Sequence, residues 1–448
     1  MYKIWSAYIS PLFFTRRWYT AFIAVVILFV CRFFLSWLGI IPYFALLALI
    51  VLAVLDYFLL FRTMKGLFGR RTHADRFSNG DDNAVQINIE NRYPFPVRIE
   101  VIDEIPFQFQ RRDILFKASA KAGQNVIINY HLRPVKRGAY HFGTVNIFAS
   151  TAISLISRRY QFEQPAEVPV YPSYIQMRKY QLMAISNRLT EAGVKKVRKL
   201  GHSMEFEQVK EYVNGDDYRT LNWKATARKG NLMVNSFTDE KSQPVYCIID
   251  KGRAMKMPFE GMSLLDYAIN ASLVLSNVAL LKQDKAGLVT FSEQAGAFLP
   301  ANRNSTQMQL ILEILYNQKT RYLESNFEQL YSGIRKKINQ RSLIVLFTNF
   351  ESLTGMRRHL PYLRKIASHH LLLTVFFENT ELQSAITSPT ADLEDVYIKT
   401  VAEKFAYEKR LIAKELQQYG IISILTAPKD LTVNTINKYL ELKSRQMI

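Results

Sequence analysis

Cysteine is nearly absent from this sequence of 448 residues, which holds only Cys31 and Cys247. Two cysteines so far apart exclude a disulfide framework, a cysteine-based metal knuckle and a dithiol redox pair. A glycine-rich phosphate-binding loop is also missing, which removes the commonest nucleotide-binding motifs. Charged residues make up only 21% of the chain against 49% hydrophobic ones, and this balance excludes wholesale disorder and a long coiled coil.

The charge that is present is unbalanced. Lysine and arginine number 58 and aspartate and glutamate 38, so the formal net charge is 58 − 38 = +20. Such an excess attracts phosphate-rich surfaces, either anionic lipid headgroups or nucleic acid. Nucleic-acid binding would require a continuous basic stripe and strongly salt-dependent affinity. The length allows about two to four domains at ~100–200 residues each.

Residues 18–61 are almost continuously apolar, with a Gly-Ile-Ile-Pro step in the middle at positions 39–42. Each half supplies roughly the ~20 helical residues that cross a bilayer core of ~30 Å. The pattern predicts a transmembrane helical hairpin over 18–61, preceded by a cytosolic N-terminus over 1–17. A cleaved signal peptide is the rival interpretation, which the length of the stretch disfavours.

The charges around this hairpin predict its orientation. Basic residues flank it on both sides, whereas the loop between the two spans has none; they are Lys3, Arg16, Arg17, Arg62, Lys65, Arg70, Arg71 and Arg76. The positive-inside rule then predicts a multi-pass protein of the inner (cytoplasmic) membrane with its soluble domains in the cytoplasm. Arg32 and Asp56 form a functional intramembrane pair, or else Asp56 lies near the cytosolic end of its span and Arg32 snorkels toward an interface.

Three further segments follow the hairpin. Short alternating runs punctuated by proline and glycine predict a small β-sandwich over residues 81–174. Residues 175–240 form a basic linker with a charged segment. From 241 to 448, nearly continuous apolar strands alternate with amphipathic helices, which predicts a doubly wound α/β domain whose ligands would lie at the carboxyl ends of its strands. The expected fold class is therefore multidomain.

The charged segment interleaves acids, bases and aromatics. Its distinctive residues are Glu205, Tyr212, Gly215, Asp216, Asp217, Arg219, Trp223, Lys224 and Arg228. Adjacent carboxylates can bind a divalent cation or transfer protons, and basic-aromatic mixtures can bind nucleic acid. We favour a third interpretation, in which Asp216, Asp217 and Arg219 form a salt-bridge network around the Trp223 ring that fixes the loop against the next domain.

The same segment closely resembles the signature of the bacterial domain-of-unknown-function family 58. The motifs PVKRGAY at 134–140 and VYP at 170–172, and the paired membrane helices, are similar to that family too. The resemblance implies a von Willebrand factor A-like α/β domain. It also implies a MoxR-type AAA+ ATPase as protein partner, and a role in assembling complexes or inserting metals.

A von Willebrand factor A-like domain in its full form carries a metal-ion-dependent adhesion site, with Asp-x-Ser-x-Ser after the first strand. Here Asp250 fits the first position, but Gly252 and Ala254 replace the serines, and Asn349 stands where a later aspartate is expected. Mg²⁺ requires near-octahedral oxygen coordination, so we expect a degenerate site without metal or cofactor. Asp250 would then cap a helix or pair with Lys251 or Arg253.

We therefore expect a membrane-anchored cytosolic adaptor that binds a protein and is not an enzyme. The predicted partner-binding residues are Asp250, Arg253 and Asn349, on the loops over 250–255 and 348–352. The alternative is an envelope-associated enzyme with a carboxylate site at Asp216 and Asp217. The oligomeric state and the client process are left open.

Overall fold

The computed structural model describes residues 9–111, 114–185, 205–214, 216–238, 242–387 and 392–447. The chain divides into two compact units, residues 1–171 and 172–448. The first unit combines the apolar helices with a β-rich region, and the second is an α/β unit. The multidomain organisation expected from the sequence is confirmed at this level.

The two apolar helices of the first unit are α1 (Arg16–Phe34) and α2 (Ile41–Arg62). Pro42 lies in the first turn of α2, where a missing N–H disturbs no intrahelical hydrogen bond. Both helices expose most of their apolar side chains. Arg32 near the end of α1 places its guanidinium 4.7 Å from the centroid of the Tyr43 ring at the start of α2.

The described residues of the β-rich region form eleven strands. They are β1 (Leu12–Phe14), β2 (Leu67–His73), β3 (Phe77–Ser78), β4 (Asn83–Asn91), β5 (Val97–Asp103), β6 (Leu115–Ala120), β7 (Asn125–Leu132), β8 (Gly138–Phe142), β9 (Val145–Ser150), β10 (Ile156–Phe162) and β11 (Ala166–Tyr171). Their sheets have the orders β1-β10-β9-β5-β6, β2-β4-β7 and β3-β11-β8. In β4 and β5 every second side chain is buried, as the alternating sequence predicts.

The sheets extend beyond the range 81–174 that the sequence indicates. Strand β1 comes from the segment expected to be a cytosolic N-terminus, and it pairs antiparallel with β10. Strand β2 pairs antiparallel with β4. Strand β1 has only three residues, which are too few to show a period-two pattern. The arginines of β2 resemble the basic residues that flank a membrane span, so neither strand can be recognised from the sequence.

Arg71 in β2 is one of those arginines, and it is buried. Its guanidinium lies 2.6 Å from the Asp103 carboxylate and donates further hydrogen bonds to the carbonyls of Gly143 and Gln164. Arg71 therefore belongs to the interior of the β-rich region and is not available to a lipid surface. The neighbouring Arg70 is exposed.

Asp56 fastens α2 to the β-rich region. Its carboxylate accepts hydrogen bonds from the backbone N–H groups of Leu155 and Ile156, both at 2.9 Å, and from the Thr151 hydroxyl. Arg158 donates to the carbonyls at the carboxyl end of the same helix, which lack intrahelical partners. Asp56 and Arg32 thus have separate partners and do not form the intramembrane pair considered above.

The second unit is built on a six-stranded sheet. Its strands are β14 (Pro244–Asp250), β17 (Lys285–Phe291), β18 (Ala295–Asn302), β19 (Leu343–Phe347), β20 (Leu371–Phe377) and β21 (Ile422–Thr426). The spatial order is β18-β17-β14-β19-β20-β21, and all pairs are parallel except β17 with β18. The order reverses between β14 and β19, which is where open α/β sheets form a crevice.

Within the described residues, this unit also contains helices and two short ribbons. The helices are α3 (Tyr174–Ile185), α4 (Trp223–Lys229), α5 (Leu264–Leu281), α6 (Gln307–Tyr316), α7 (Phe327–Lys337), α8 (Leu353–Ala367), α9 (Thr380–Thr387), α10 (Leu393–Gln418) and α11 (Leu431–Ser444). The ribbons are β12 (Glu205–Glu211) with β13 (Met233–Thr238), and β15 (Pro258–Phe259) with β16 (Met262–Ser263). The α/β fold predicted from the sequence for this region is confirmed.

Three helices of the described chain are long and apolar enough to cross a membrane: α1, α2 and α5. Helix α5 is mostly buried inside the α/β unit, where it covers β14 and β17. A helix that is hydrophobic all round can be a core helix as readily as a membrane span. The mostly exposed apolar surfaces of α1 and α2 support membrane association.

Candidate functional site

Asp250 lies at the carboxyl end of β14, beside the point where the strand order reverses. Only 2% of the residue is exposed. One carboxylate oxygen, Oδ1, accepts from the Gly252 backbone N–H at 2.8 Å and from the Ser325 hydroxyl, and Oδ2 accepts from the Thr348 hydroxyl at 2.7 Å. The chain's own donors therefore surround this carboxylate.

These contacts differ from those expected of Asp250. It pairs with neither Lys251 nor Arg253, because its side chain points into the unit and both oxygens meet hydroxyl or backbone donors. Burial raises the pKa of Asp250, and the hydrogen bonds from Ser325, Thr348 and Gly252 oppose that rise. Such an environment suits an internal hydrogen-bond acceptor.

Arg253 is the exposed member of this loop. Its guanidinium lies 3.7 Å from the Glu351 carboxylate, and about three quarters of its side chain is exposed. An ion pair so open to water contributes little to stability. The charges of Arg253 and Glu351 at the carboxyl ends of the strands thus face solvent, whereas the Asp250 carboxylate is buried.

Asn349, the residue in place of the expected aspartate, holds a lysine from α10. Its Oδ1 accepts from Lys409 Nζ at 2.6 Å, and its Nδ2 donates to the carbonyl of Ala254. Burial lowers the pKa of Lys409 to about 8, whereas the negative charge of Glu351 acts in the opposite direction. Asn349 therefore links the loops after β14 and β19 to α10.

The charged segment forms a separate structure, the signature hairpin, which consists of β12, α4, β13 and the turns between them. Asp216 accepts from Lys210 Nζ at 2.9 Å and from the Val213 N–H, and the Lys210 hydrogen bond is the main reason that its pKa is lowered. Asp217 accepts from the backbone N–H of Arg219 and caps a single 3₁₀ turn.

This geometry differs from the predicted salt-bridge network around Trp223. Trp223 is 69% exposed, Lys224 and Arg228 are exposed on α4, and the Arg219 guanidinium lies 5.9 Å from the Tyr218 ring centroid. The helix starts at an Asn222 cap, which leaves the tryptophan at its first position and outside any core. The hairpin thus presents aromatic and basic side chains to solvent.

The remaining predicted residues of this segment contribute less. Tyr212 is half-buried and its backbone N–H donates to the Leu232 carbonyl. Gly215 and the side chain of Glu205 lie outside the described residues. The carboxylates of Asp216, Asp217 and Asp250 each have their own partners and share none. Within the described ranges, no group of three or more His, Cys, Asp or Glu side chains is arranged to hold a metal ion.

Three residues of these sites escaped the sequence analysis. Thr348 begins the predicted loop over 348–352, so its position at the sheet edge was foreseeable. Ser325 lies in a loop far along the chain from Asp250, and Lys409 is one of many cations on an amphipathic helix. No periodicity or motif distinguishes either of them.

A comparison with protein families finds a match over part of the second unit. The sequence profile described as "Protein of unknown function DUF58" matches residues 208–383. A Bacillus subtilis (strain 168) protein, "Uncharacterized protein YeaD", is 28% identical over 193 residues, which are 41% of this chain and 47% of the relative. The chain thus spans about half the length of that curated relative.

Solved structures give weaker likenesses. The conserved hypothetical protein BatB from Bacteroides thetaiotaomicron aligns at a TM-score of 0.31 and 13% identity, over 46% of this chain and all of that one. The SpRpn10 VWA domain aligns at 0.26 and 11%, over 43% and 92%. The neighbours thus include a von Willebrand factor A-like domain, and similarity this low supports no statement about function.

Proposed function

We propose that this protein is a membrane-anchored cytosolic adaptor that binds a protein partner and catalyses no reaction. The observation that carries the proposal is the state of Asp250. A carboxylate that already accepts three hydrogen bonds from its own chain is poorly placed to take a metal ion or a substrate proton. The strand-end face then acts through the side chains that it exposes.

The anchor in this proposal is the pair α1 and α2, with both ends in the cytoplasm and the protein in the inner membrane. The exposed apolar surfaces of the two helices support it, as does the basic charge that remains around them once the buried Arg71 is set aside. Arg32 and Asp56 lie towards opposite ends of the hairpin, so its central part is free of charge.

The partner in this proposal is a MoxR-type AAA+ ATPase, and the complex serves the assembly or maturation of a client. The family profile that matches residues 208–383 supports the link, through the resemblance described above. The docking surface would comprise the loops that carry Arg253 and Glu351. Asp250 and Asn349 would shape those loops from beneath, and the signature hairpin offers a second surface.

Charge reversal tests the docking surface. The full-length protein is co-expressed with a MoxR-type ATPase, extracted from membranes in mild detergent and captured by an affinity tag. We expect Arg253→Glu to lower the captured ATPase several-fold. The matched control is Arg445→Glu, an exposed arginine that is likewise paired with a glutamate, Glu441, on α11.

That control is spatially separate from the docking surface. The neighbouring Lys443 binds Asp284, which immediately precedes β17, so Arg445 lies near the amino-terminal edge of the sheet. Equal ATPase capture by the unmodified protein and the Arg253→Glu variant would reject this docking surface. Failure of the unmodified protein to capture any ATPase would reject the partner.

A further inference from the structure

A cavity of about 330 Å³ opens at the carboxyl edge of the six-stranded sheet. It lies among the loops that follow β14, β19, β20 and β21, and α10 closes one side. A volume of this size is at the lower end of the range that small-molecule sites occupy. Its position, next to the reversal in strand order, is where ligands bind in open α/β sheets.

The walls of the cavity are largely apolar. Their main contributors lie on β15, α5, β20, α9 and α10 and in the loop before β15: Met257, Phe259, Leu264, Phe377, Leu382 and Phe405. Aromatic and aliphatic walls favour a ligand that removes apolar surface from water. Phe405 is 44% exposed although it is large and apolar, as expected of a residue that lines an open site.

The Lys409 side chain contributes a positive charge to the wall of this cavity. Lys409 on α10 lines the cavity, and within the described residues its Nζ has a single hydrogen-bond acceptor, the neutral Asn349 Oδ1. An ammonium group carries three donors, so two are left for a ligand. No carboxylate of the described chain lies within ion-pair distance of it, and a half-buried charge without a counter-ion in contact is energetically costly.

We propose that this cavity binds a monocarboxylate joined to a large apolar group, with the carboxylate on Lys409 and the apolar group among Phe377, Leu382 and Phe405. The C-terminal residue of a polypeptide and a free aromatic acid share this chemistry. The site does not depend on the adaptor function or on the partner proposed above.

The other charged groups at the cavity narrow the ligand class. Glu351 and Glu378 also line it, and Glu351 is only partly neutralised by Arg253. A second negative charge on the ligand would meet these carboxylates, so dicarboxylates and phosphates are disfavoured. A peptide carries an amide N–H close to its terminal carboxylate, and this donor is compatible with the carboxylates of Glu351 and Glu378.

Calorimetric titration of the full-length protein in lipid nanodiscs tests the site. The probes are N-acetyl-L-phenylalanine, its neutral C-terminal amide, and acetyl-Gly-Ser-Gly-Ser-Gly-Phe as acid and as amide. We expect both acids to bind at least tenfold more tightly than their amides. A peptide acid that binds tenfold more tightly than the single amino acid identifies a polypeptide C-terminus as the source, and equal affinity identifies a free acid.

Variants assign the binding to the cavity. Lys409→Met keeps an unbranched side chain, one atom shorter, but removes the charge and the donors, and we expect at least a tenfold loss of affinity for the acids. Lys414→Met, an exposed lysine on the same helix, is the matched control and should bind as the parent does. Ala406→Phe fills the cavity from α10 and should abolish binding independently.

Three results would overturn the proposal: no binding of either acid, equal binding of acids and amides, or full affinity in Lys409→Met. None of them depends on the ATPase. Loss of ATPase capture with intact acid binding would reject the adaptor partner alone. Intact ATPase capture without acid binding would reject the cavity ligand alone.

Discussion

Gly252 and Ser325 share one space: a Cβ atom on Gly252 would collide with the Ser325 hydroxyl oxygen. That hydroxyl donates to Asp250, so the serine from a distant loop occupies the place that a side chain at position 252 would take. The glycine that replaces a serine after β14 therefore leaves the space that the Ser325 hydroxyl occupies. The φ angle of Gly252 is −78°, so space alone excludes a side chain there.

Gly252→Ser should destabilise the α/β unit by about 1–3 kcal/mol, because overpacking forces neighbouring groups out of place. Ser325→Ala should cost a similar amount, since Asp250 loses a hydrogen bond in a buried site. In the double variant the side chain introduced at position 252 has room, so the cost should be clearly less than the sum. A double-mutant cycle from denaturant unfolding measures this coupling, and strict additivity would contradict it.

Arg71→Ala should destabilise the first unit by about 3–5 kcal/mol, because the buried carboxylate of Asp103 would lose its counter-ion. The adjacent Arg70→Ala is the matched control, and its exposed side chain should cost less than about 0.5 kcal/mol. Apparent melting temperatures in nanodiscs compare the stability losses of the two variants. Similar shifts for both would show that Arg71 is not part of the interior.

Asp56→Ala should loosen the attachment of α2 to the β-rich region. It leaves the N–H groups of Leu155 and Ile156 and the Thr151 hydroxyl without an acceptor, at about 1–3 kcal/mol for each buried group. Asp56→Asn retains one acceptor oxygen and should lose less. Amide hydrogen exchange at residues 151–156 should accelerate in that order, while exposed Asp75→Ala should leave it unchanged.

Trp223→Ala should leave stability nearly unchanged, within about 0.5 kcal/mol, because 69% of Trp223 is exposed. If the signature hairpin contacts the ATPase, the same variant should lower ATPase capture several-fold, since exposed tryptophans often anchor interfaces. Tyr397→Ala removes an equally exposed aromatic from α10 and serves as control. A large stability loss with normal capture would instead show that Trp223 supports the fold.

Lys409→Met should stabilise the ligand-free protein at pH 7. The folded-state pKa of Lys409 is about 8, below its ordinary value of 10.5, so folding opposes its protonation. That penalty is complete below pH 8 and vanishes as the pH rises through 10.5. We expect a gain on the order of 1–2 kcal/mol at pH 7, reduced by partial solvent screening, which shrinks towards pH 10 in pH-dependent melting curves. A gain independent of pH would contradict this assignment.

Part of the fold could be predicted from local pattern alone. Alternation in β4 and β5 marks them as half-buried strands, and the apolar runs of β14 and β20 mark a sheet covered on both faces. Strand β18 has little burial contrast between its two faces, so no clear alternation marks it in the sequence. Strand β2 was missed because its basic residues follow a hydrophobic helix.

The candidate sites were less accessible to sequence reasoning. The sequence alone shows that positions 252 and 254 supply no oxygen ligands, because the side chains of Gly252 and Ala254 contain no oxygen atom. The replacement hydroxyls of Ser325 and Thr348 were not, because hydrogen bonds across 75 and 98 residues leave no local signature. Trp223 was expected to be enclosed by charges, and its position at the start of α4 leaves it exposed instead.

The amino-acid sequence by itself determined the periodicities: two long apolar helices, alternating strands, an α/β region, and an adhesion-type loop without its serines. These follow from residue spacing, because side-chain direction repeats about every 2.0 or 3.6 residues whatever the rest of the chain does. Tertiary structure alone decided which polar groups meet. It placed Arg71 inside, joined Asp56 to a strand end, and brought Lys409 to an apolar cavity, because long-range packing selects the partners of buried charges.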